Sequence, residues 1–333
     1  MTEPVVSIVI PCYNEEKTIG LLLDAIAQQT YDASKIEVVI ADGYSTDATL
    51  SVIEEYRKAH SAMNIRVVDN PKRIIPSALN AAIRDARGEI ITRMDAHSIP
   101  SPDYIERSVK TLLEGKGTNV GGVIDIRPGG PGWIARSIAV ATGHPLGVGD
   151  ARYRWATEAG PADTVAFGTF RRSLFDKVGF YDETLEINED YEMNHRIRQN
   201  GGQIWIDPQI RAVYYSRSDL ISLARQYFSY GYWKVRMLKR YPRSIRLRQA
   251  LPPLFVMGIL MLLLGSIFWL IARILLLAVI AVYLVSLIAG SIPAALRNKK
   301  LSMVLGVPLA IMTMHFTWGS GFIWSLLHTG SAK

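Results

Sequence analysis

The sequence predicts a mostly parallel α/β sheet with flanking helices, followed by an amphipathic helix and several membrane-spanning helices. Over about residues 1–215, short apolar runs alternate with amphipathic stretches, a pattern typical of strands joined by crossover helices. Beyond that region lie apolar runs long enough to cross a bilayer. The chain has 333 residues and is 49% hydrophobic, which suffices for one mid-sized soluble domain and a few spans.

The first part of the soluble region repeats a strand and a helix. We predict strands at 5–11, 37–42, 65–69 and 90–95, with helices at 15–29, 46–59 and 75–86. Because right-handed crossovers place each helix over one face of the sheet, such repeats imply parallel neighbouring strands. Ligands of parallel sheets gather at the carboxyl ends of the strands. We therefore expect the polar segments 11–15, 42–45, 69–73 and 95–98 to meet along one edge, here called the rim.

The second part of the soluble region has a looser pattern. We predict strands at 120–126 and 165–170 and a helix at 189–200, forming the acceptor-side half of the same domain. The Gly- and Pro-rich segment 128–132 predicts a turn or loop. The irregular stretch 143–163 is a candidate substrate loop, because long structureless segments in compact domains are usually functional or disordered.

An amphipathic helix is predicted between the soluble region and the apolar runs. Ser218 or Asp219 can cap a helix that runs to about residue 241 and mixes aromatic with basic side chains, as suits a lipid headgroup interface. The alternative is an ordinary packed helix with a solvated basic face. The candidate interface or acceptor-binding residues are Gln226, Tyr230, Trp233 and Lys234.

The apolar runs predict about three transmembrane helices, at 251–271, 274–292 and 303–327. A continuous helix over 251–292 would reach roughly 63 Å, twice the hydrocarbon thickness, so a hairpin is expected near 269–274. A re-entrant first segment is the alternative. The predicted boundaries are a soluble domain at 1–217, an interface helix and linker at 218–248, and a membrane domain at 249–333.

Charge is distributed unevenly along the chain. All 30 acidic residues but only 24 of the 37 Lys and Arg residues lie at or before Asp219, so the net charge of +7 arises from the C-terminal part. This distribution argues against a nucleic-acid partner and favours an anionic membrane surface. Basic loops on one side of the spans predict a multi-pass inner-membrane protein with a cytoplasmic soluble domain. The single cysteine, Cys12, fits a reducing compartment, and the N-terminus lacks the features of a signal peptide.

Two rim segments contain candidate nucleotide-binding residues. Tyr13 can stack on a base and Glu15 can reach a ribose or base edge, although for any one of these residues alone a strand end with a helix cap at Asn14 is the favoured interpretation. Asp42, at the end of the second strand, can accept a hydrogen bond from a base N–H. Asp47 has an equally good explanation as a first-turn anion at a helix N-terminus.

A metal-binding pair is predicted after the fourth strand. Asp95 and His97 are two residues apart, so in an extended stretch their side chains leave on the same face and can share a cation that also binds a diphosphate. Such an ion stabilises charge on a departing nucleotide. The pattern is weak in isolation, and its position at the end of a predicted strand strengthens it.

A candidate general base lies at a predicted helix start. Asp190, with Glu189 as its neighbour, can take a proton from an attacking hydroxyl group. The structural alternative is that acidic residues are favoured there by the helix dipole.

Together these segments resemble the family-2 glycosyltransferases with the GT-A fold, over roughly residues 5–240. The resemblance rests on 8–15, 42–47, Asp95-Ala96-His97, 168–172 and 188–190, in the family's order. It implies an inverting reaction with Asp190 as general base, a nucleotide diphosphate sugar donor, commonly a uridine diphosphate sugar, and a divalent metal, Mn²⁺ or Mg²⁺. The implied donor-binding residues are Pro11, Tyr13, Glu15, Asp42 and Asp95, and the implied metal ligands are Asp95 and His97.

One departure narrows the resemblance. His97 stands where many members have Asp, which leaves metal affinity and preference open. The Asp-Ala-His form, with the segments 225–228 and 230–234, resembles bacterial exopolysaccharide glucosyltransferases of the succinoglycan type. Those enzymes add glucose to a sugar linked to polyprenyl diphosphate, so UDP-glucose and a lipid-linked acceptor are expected here.

Several residues are secondary candidates. Arg73, Arg127, Arg171 and Lys72 can meet phosphates, although surface cations are usually only solvated. Asn80 and Gly88 are interpreted as serving packing and a turn. The histidines interpreted as structural are His144, His195 and His315.

Other functions fit parts of the pattern. A polyprenyl-phosphate sugar synthase would use the lipid phosphate as nucleophile and would scarcely need a base. A catalytically inactive scaffold of a polysaccharide assembly complex would bind no nucleotide. A processive polymerase is disfavoured, because three spans offer little wall for a pore. The oligomeric state stays open.

Overall fold

The computed structural model describes residues 3–328 and divides the chain into two compact units. The sheet unit comprises Met1–Asp125 and Ala151–Tyr214, and the helical unit comprises Ile126–Asp150 and Tyr215–Lys333. The predicted soluble domain at 1–217 was continuous, so the assignment of 126–150 to the C-terminal unit corrects that boundary. The physical reason is packing, since apolar residues 138 and 141 share a buried cluster with the long C-terminal helices.

Within residues 3–328, nine strands form one sheet, with the order β3-β2-β1-β4-β8-β6-β9-β5 and with β7 paired to β9. The strands are β1 Val6–Cys12, β2 Ile36–Asp42, β3 Asn64–Asp69, β4 Ile90–Arg93, β5 Ser98–Pro100, β6 Asn119–Arg127, β7 Gly160–Ala162, β8 Ala166–Arg171 and β9 Ile204–Tyr215. The first four strands are mutually parallel, which confirms the predicted repeat. From β8 onward the pairing is antiparallel, so the sheet is mixed.

Twelve helices lie in the described part of the chain. They are α1 Ile19–Ala27, α2 Thr49–Ala59, α3 Ile75–Asp85, α4 Tyr104–Leu113, α5 Trp133–Gly143, α6 Pro145–Val148, α7 Leu174–Val178, α8 Glu189–Gln199, α9 Leu220–Arg240, α10 Leu247–Phe268, α11 Leu270–Asn298 and α12 Met303–His328. Short 3₁₀ turns lie at 33–35, 152–154 and 242–244. The predicted helix positions are confirmed to within a few residues at their ends.

The core of the sheet unit lies on both faces of the parallel strands. Ile8 and Ile10 of β1 pack in a cluster with α1, α2 and α4, whereas Val9 packs in a cluster with α3 and α8 on the other face. Successive side chains of a strand point to opposite faces, and here both faces are covered. The strand sequence is therefore continuously apolar rather than alternating.

Buried charges are tied together near the amino end of the parallel strands. Arg66 Nη1 lies 2.9 Å from Glu37 Oε2, and Arg66 Nε lies 2.8 Å from Asp85 Oδ2. Glu37 also accepts hydrogen bonds from Ser7 and from the backbone N–H of Arg87. A Cβ at Gly88 would approach Ser7 Oγ to 2.6 Å, so close approach to β1 explains this glycine.

The stretch 143–163 is more ordered than predicted. It contains α6, a 3₁₀ turn and β7, whose Gly160 pairs with Ile206 of β9. The stretch is also divided between the two units after Asp150. The prediction of one irregular substrate loop is therefore wrong in structure, because short local hydrogen-bonded elements are invisible to a search for long periodic patterns.

The helical unit is organised around α9 and α12. The Asp219 side chain accepts a 2.8 Å hydrogen bond from the Ser222 N–H, which confirms the predicted helix start. A Cβ on Gly231 would collide with the Trp318 carbonyl, and one on Gly321 would collide with the Phe228 carbonyl. The two helices thus touch backbone to backbone at these glycines.

Three helices, α10, α11 and α12, are long and apolar enough to cross a membrane. The first two are separated at Trp269, which confirms the position of the predicted hairpin. The first segment is one continuous helix of 22 residues. The most apolar windows of α10 and α11 are 17% and 11% buried, against 44% for α12, so α10 and α11 present most of their apolar surface outward.

Candidate active site

Three rim segments are connected through backbone hydrogen bonds at the ends of β1, β2 and β3. The Gly43 N–H donates to the Cys12 carbonyl at 2.8 Å, and the Asn70 N–H donates to the Asp42 carbonyl at 2.8 Å. Directly after these strands, Asn14, Tyr44 and Arg73 adopt φ values of 55°, 59° and 56°. Such left-handed conformations are uncommon for residues other than glycine and cluster at functional sites.

An aromatic and cationic cluster lies on the rim. The Arg73 guanidinium carbon is 5.9 Å from the ring centroids of both Tyr13 and Tyr44. Both rings are nearly half exposed, at 45% and 44%. The cluster thus offers flat, accessible faces of the kind on which a nucleobase stacks.

Asp42, at the end of β2, is held by hydrogen bonds to Ser45. It is buried, and its two oxygens accept hydrogen bonds from the Ser45 N–H at 2.9 Å and from Ser45 Oγ at 2.6 Å. Ser45 Oγ in turn accepts from the Asn14 N–H at 2.9 Å. Asn14 is no helix cap, because α1 begins at Ile19, and its side chain instead accepts from the Thr46 N–H at 2.8 Å.

Asp47 fits its structural alternative. Its Oδ1 accepts from the Thr49 N–H at 3.0 Å and from Thr49 Oγ1 at 2.5 Å, at the start of α2. Its Oδ2 accepts from the Glu16 N–H at 3.2 Å. The side chain therefore holds two rim segments together.

The Asp95 to His97 segment forms a turn rather than an extended strand. Strand β4 ends at Arg93, and the Ser98 N–H donates to the Asp95 carbonyl at 2.9 Å. The expectation of side chains on one face of an extended stretch is therefore wrong. Asp95 Oδ1 accepts from Arg93 Nε and Nη2 at 3.2 and 3.1 Å, and His97 Nδ1 lies 3.0 Å from Glu15 Oε1.

In the described part of the chain, the side chains near Asp95 and His97 are too few to hold a metal ion alone, so a metal site there needs further ligands from a bound molecule. Within residues 3–328 no group of three or more His, Cys, Asp or Glu side chains is arranged to hold a metal ion. The Glu15 carboxylate at His97 Nδ1 is nevertheless the kind of partner that orients a metal-binding imidazole. Oxygen and imidazole nitrogen are both ligands of divalent ions, and the binding of one ion by Asp95 and His97 stays a prediction.

The Glu189-Asp190 pair begins α8, after Asn188 at a φ of 71°. Glu189 is buried, and its Oε1 lies 2.9 Å from Arg93 Nη1. Burial raises the pKa of both carboxyl groups, and the Arg93 cation opposes the rise in each. The negative charge of Asp190 raises the pKa of Glu189 further, and that of Asp95 raises the pKa of Asp190. The two carboxyl groups thus differ in role, because Glu189 is engaged in an ion pair.

Asp190 lines a small pocket within the sheet unit. The other lining residues are Arg93, Asn119, Val165, Phe167, Gly168, Phe170, Tyr181, Met193 and Asn194. Arg93 links this pocket to Asp95, and His97 in the same turn contacts Glu15. Asn14, the residue before Glu15, donates to Ser45, which donates to Asp42. Hydrogen bonds and sequence neighbours within the sheet unit thus link Asp42, Asp95 and the pocket that Asp190 lines.

Two features of this site were missed from the sequence. Asn80 was interpreted as packing, but its amide donates to the Tyr181 carbonyl at 2.9 Å and accepts from the Tyr181 N–H at 2.9 Å. It also donates to Glu183 Oε1 at 2.8 Å, and Lys72 Nζ lies 2.6 Å from Glu183 Oε2. A buried amide on the apolar face of α3 was the available signal.

The second missed feature is a chain of buried amides behind Asp190. Asn119 Nδ2 donates to Asn194 Oδ1 at 2.7 Å, and Asn194 Nδ2 donates to Thr164 Oγ1 at 2.9 Å. A Cβ on Gly168 would collide with the Asn119 side chain, so only glycine fits there. This close approach explains why a glycine stands at position 168, the first residue of the segment 168–172.

Of the arginines predicted to meet phosphates, Arg171 lies away from the rim and Arg127 lies outside the sheet unit. Arg171 is exposed and pairs with Ile90, at the amino end of β4, so the prediction that it meets donor phosphates is wrong. The physical reason is that β8 runs antiparallel to β4 and carries its last residue to the opposite edge. Arg127 belongs to the helical unit, and its role stays a prediction.

The α9 residues divide into packed and accessible ones. Lys234 is fully buried, with Nζ 3.3 Å from the Ser244 carbonyl, so it is not the surface residue that the interface prediction required. Gln226 Nε2 donates to Tyr230 Oη at 2.9 Å, and Tyr230 meets Trp318 edge to face at 6.3 Å. Trp233 lies beneath Arg236 at 4.7 Å. Helix α9 is therefore amphipathic but more tightly packed than predicted.

A mixed sheet flanked by helices, with its polar residues at the strand ends, is the GT-A-like architecture of glycosyltransferases. The sequence model described as glycosyl transferase family 2 matches residues 7–179, which is just over half of the chain. The chain therefore belongs to glycosyl transferase family 2.

Full-length relatives support this membership. The chain is 31% identical over 330 residues to the succinoglycan biosynthesis protein ExoA of Rhizobium meliloti, covering 96% of this chain and 94% of that protein. It is 28% identical over 333 residues, covering 98% of each chain, to a Methanococcus voltae protein. That protein is the dolichyl N-acetyl-alpha-D-glucosaminyl phosphate 3-beta-D-2,3-diacetamido-2,3-dideoxy-beta-D-glucuronosyltransferase.

Solved structures share the fold. The mannosyltransferase PcManGT of Pyrobaculum calidifontis, in complex with GDP-Man and Mn²⁺, matches with a TM-score of 0.64 at 22% identity, covering 98% of this chain and 88% of that one. Residues 1–349 of Staphylococcus aureus TarS, in complex with UDP-GlcNAc, match with a TM-score of 0.52 at 20% identity, covering 70% of this chain and 66% of that one.

Proposed function

We propose that this protein is an inverting glycosyltransferase that transfers glucose from UDP-glucose to a saccharide linked to polyprenyl diphosphate, in exopolysaccharide or other surface glycan synthesis. The observation that carries the proposal is the series of hydrogen bonds and sequence neighbours that links Asp42 to the Asp190 pocket within one unit. Such a series supports the proposal of a nucleotide site, a phosphate-facing acid and a base on one edge of one sheet.

The donor would bind across the rim. Tyr13 and Tyr44 would stack on the base, Asp42 would hold its edge, and Pro11 and Glu15 would line the same end of β1. A divalent cation at Asp95 and His97, Mn²⁺ or Mg²⁺, would act as a Lewis acid on the departing diphosphate. Asp95 would face the diphosphate with the carboxylate oxygen that does not meet Arg93.

Asp190 would accept the proton of the attacking acceptor hydroxyl. The new bond forms at the anomeric carbon on the face opposite the leaving nucleotide, so the configuration inverts and the nucleotide diphosphate departs. A raised pKa suits a general base, because the strongest proton acceptors that are still ionised at neutral pH have a pKa near 7. The pocket lined by Asp190 supports its assignment over Glu189, which is held by Arg93.

The acceptor would be lipid-linked. Three apolar helices suit membrane association, and two full-length relatives are named for succinoglycan biosynthesis and for transfer to a dolichyl phosphate sugar. The basic loops favour insertion in the inner membrane as a multi-pass protein with the sheet unit on the cytoplasmic side. Tyr230, Trp233 and Gln226 remain candidates for contact with the lipid or the acceptor.

The decisive test compares Asp190→Asn with wild type in membranes supplied with labelled nucleotide sugars and defined lipid-linked acceptors. We expect transfer to fall by about 10²–10⁴-fold, while UDP binding to the purified protein stays within about twofold. The control is Asp85→Asn at the Arg66 bridge, which should transfer normally.

Other outcomes of this test would support other functions. Normal turnover by Asp190→Asn, with a single sugar on a lipid monophosphate, would indicate a polyprenyl-phosphate sugar synthase. Failure of the wild-type protein to bind any nucleotide, with Mn²⁺ or Mg²⁺ present, would indicate an inactive scaffold.

A further inference from the structure

We propose that Arg93 is a positioning residue that fixes the general base relative to the donor-binding acid, by bridging Asp95 and Glu189. This inference rests on the proposed function, since it assigns Asp95 to the diphosphate and Asp190 to the proton transfer. Neither the motif that contains Asp95 nor the one that contains Asp190 assigns a task to this arginine.

The bridge is short and buried. Arg93 Nε and Nη2 lie 3.2 and 3.1 Å from Asp95 Oδ1, while Nη1 lies 2.9 Å from Glu189 Oε1. The Arg93 and Glu189 side chains are 10% and 7% exposed. One planar guanidinium thus bonds two carboxylates from segments that are nearly a hundred residues apart in sequence.

The position of Asp190 follows from this bridge. Glu189 and Asp190 are adjacent in the first turn of α8, so fixing the Glu189 carboxylate also fixes the backbone that carries Asp190. Arg93 and Asp190 line the same pocket. Because Arg93 lies on β4, the position of the general base is fixed relative to the strand whose carboxyl end leads into Asp95.

Lysine cannot reproduce the bridge. An ammonium group is a compact donor on a flexible stem, whereas a guanidinium directs several N–H groups in fixed directions to two partners at once. A lysine at this position would keep the charge but lose the fixed geometry. A misplacement of about 1 Å can cost about 10²-fold in rate, so geometry alone can set turnover.

The chain contains a matched control in Arg66. It also bridges two carboxylates, Glu37 and Asp85, at 2.9 and 2.8 Å, in the same unit but away from the rim. Its side chain is 22% exposed. Replacement of Arg66 tests what the loss of a bridging arginine does to folding alone.

The experiment measures kcat, the KM for the nucleotide sugar, UDP affinity and the melting temperature of the full-length protein for Arg93→Lys, Arg93→Met, Arg66→Lys and Arg66→Met. We expect Arg93→Lys to lower kcat by about tenfold to a hundredfold, with donor KM and UDP affinity within about threefold of wild type. The Arg66 variants should lower the melting temperature at least as much as the matching Arg93 variants, yet keep kcat within about twofold of wild type.

Two results would overturn the inference. One is a loss of kcat in Arg93→Lys no larger than in Arg66→Lys at equal loss of stability, which would make Arg93 merely structural. The other is a parallel loss of UDP affinity, which would make Arg93 a phosphate-binding residue.

A double variant keeps the test informative if Arg93→Met folds poorly. Adding Glu189→Gln removes the buried carboxylate left without its partner, so Arg93→Met/Glu189→Gln should regain melting temperature but not kcat. Recovery of kcat to wild type would contradict the positioning role. Absence of transfer by the wild-type protein on every acceptor would instead refute the proposed function, and this inference with it.

Discussion

Each end of the parallel sheet contains an arginine that bridges two carboxylates, but at the carboxyl end a further carboxyl group lines a pocket. Near the amino end, Arg66 bridges Glu37 and Asp85, and Glu37 also accepts hydrogen bonds from Ser7 and the Arg87 backbone. At the carboxyl end, Arg93 bridges two carboxylates in the same manner, but a third, Asp190, lines a pocket. A buried ion-pair network therefore does not by itself mark a functional site.

Backbone conformation separates the two ends as well. Asn14, Tyr44, Arg73 and Asn188 all have positive φ and all lie at the carboxyl end or directly before Glu189, whereas no residue of the Arg66 network does. Non-glycine residues in this region cost of order 1–3 kcal/mol each. Among the described residues, the rim differs from the amino end of the sheet in having strained backbone at non-glycine residues and a carboxyl group that lines a pocket, not in having buried charge.

The largest effect beyond Asp190 is expected at Asp95. Asp95→Asn should lower kcat/KM for the nucleotide sugar by about 10²–10³-fold, because it removes charge from the group that faces the diphosphate and its metal. Mn²⁺-dependent UDP binding, measured by calorimetry with and without EDTA, should weaken in parallel. Asp85→Asn in the other network is the control, and equal losses in the two variants would erase the distinction between the ends.

The pH dependence should also separate the two ends. Burial raises the pKa of the Asp190 carboxyl, and the base must be ionised, so kcat/KM should fall as pH drops through a value above the ordinary aspartate range. By contrast, the hydrogen bonds from Ser7, Arg87 and Arg66 lower the pKa of Glu37 despite its burial.

The two carboxyl groups therefore change the free energy of unfolding in opposite directions as pH rises. The Glu37 contribution to stability is present above the ordinary glutamate pKa and is lost as pH falls through its lowered value. Asp190 lowers the free energy of unfolding as pH rises from its ordinary to its raised pKa. A pH profile of kcat/KM with an acid limb that is unchanged in Asp190→Asn would contradict the base assignment.

A smaller effect is expected at the aromatic cluster. Tyr13→Ala should weaken UDP binding by about fivefold to a hundredfold, since stacking of one base on an aromatic ring contributes about 1–3 kcal/mol. Leu21→Ala removes an exposed side chain of similar accessibility from α1 and should leave UDP affinity unchanged. Equal affinities of wild type and Tyr13→Ala would move the base-binding site away from the rim.

Local patterns predicted the parallel half of the fold. Strand and helix periodicity placed β1 to β4, and the rule that ligands gather at strand ends selected Asp42 and Asp95 as candidates. The antiparallel half followed from pairings such as Thr92 with Thr169, which join distant segments and leave no periodic signal. The error over Arg171 arose there, because its direction depends on that pairing.

The sequence predicted which residues belong to the candidate site but not which of their side chains contact one another. Nothing in the sequence near Arg93 indicates that it meets Glu189, and the exposure of Lys234 could not be judged from an amphipathic pattern that also fits a packed helix. The segment from Asp95 to His97 was predicted to be extended but forms a turn, because so short a sequence does not distinguish a turn from a strand end.

A structure of the full-length protein with UDP and Mn²⁺ would test the central claim most directly. The account predicts the base against Tyr13 above Asp42, the diphosphate and metal at Asp95 and His97, and Asp190 facing the position of the anomeric carbon from the side opposite the diphosphate. A nucleotide bound away from the carboxyl ends of β1 to β4, or with Asp190 turned from it, would contradict the account.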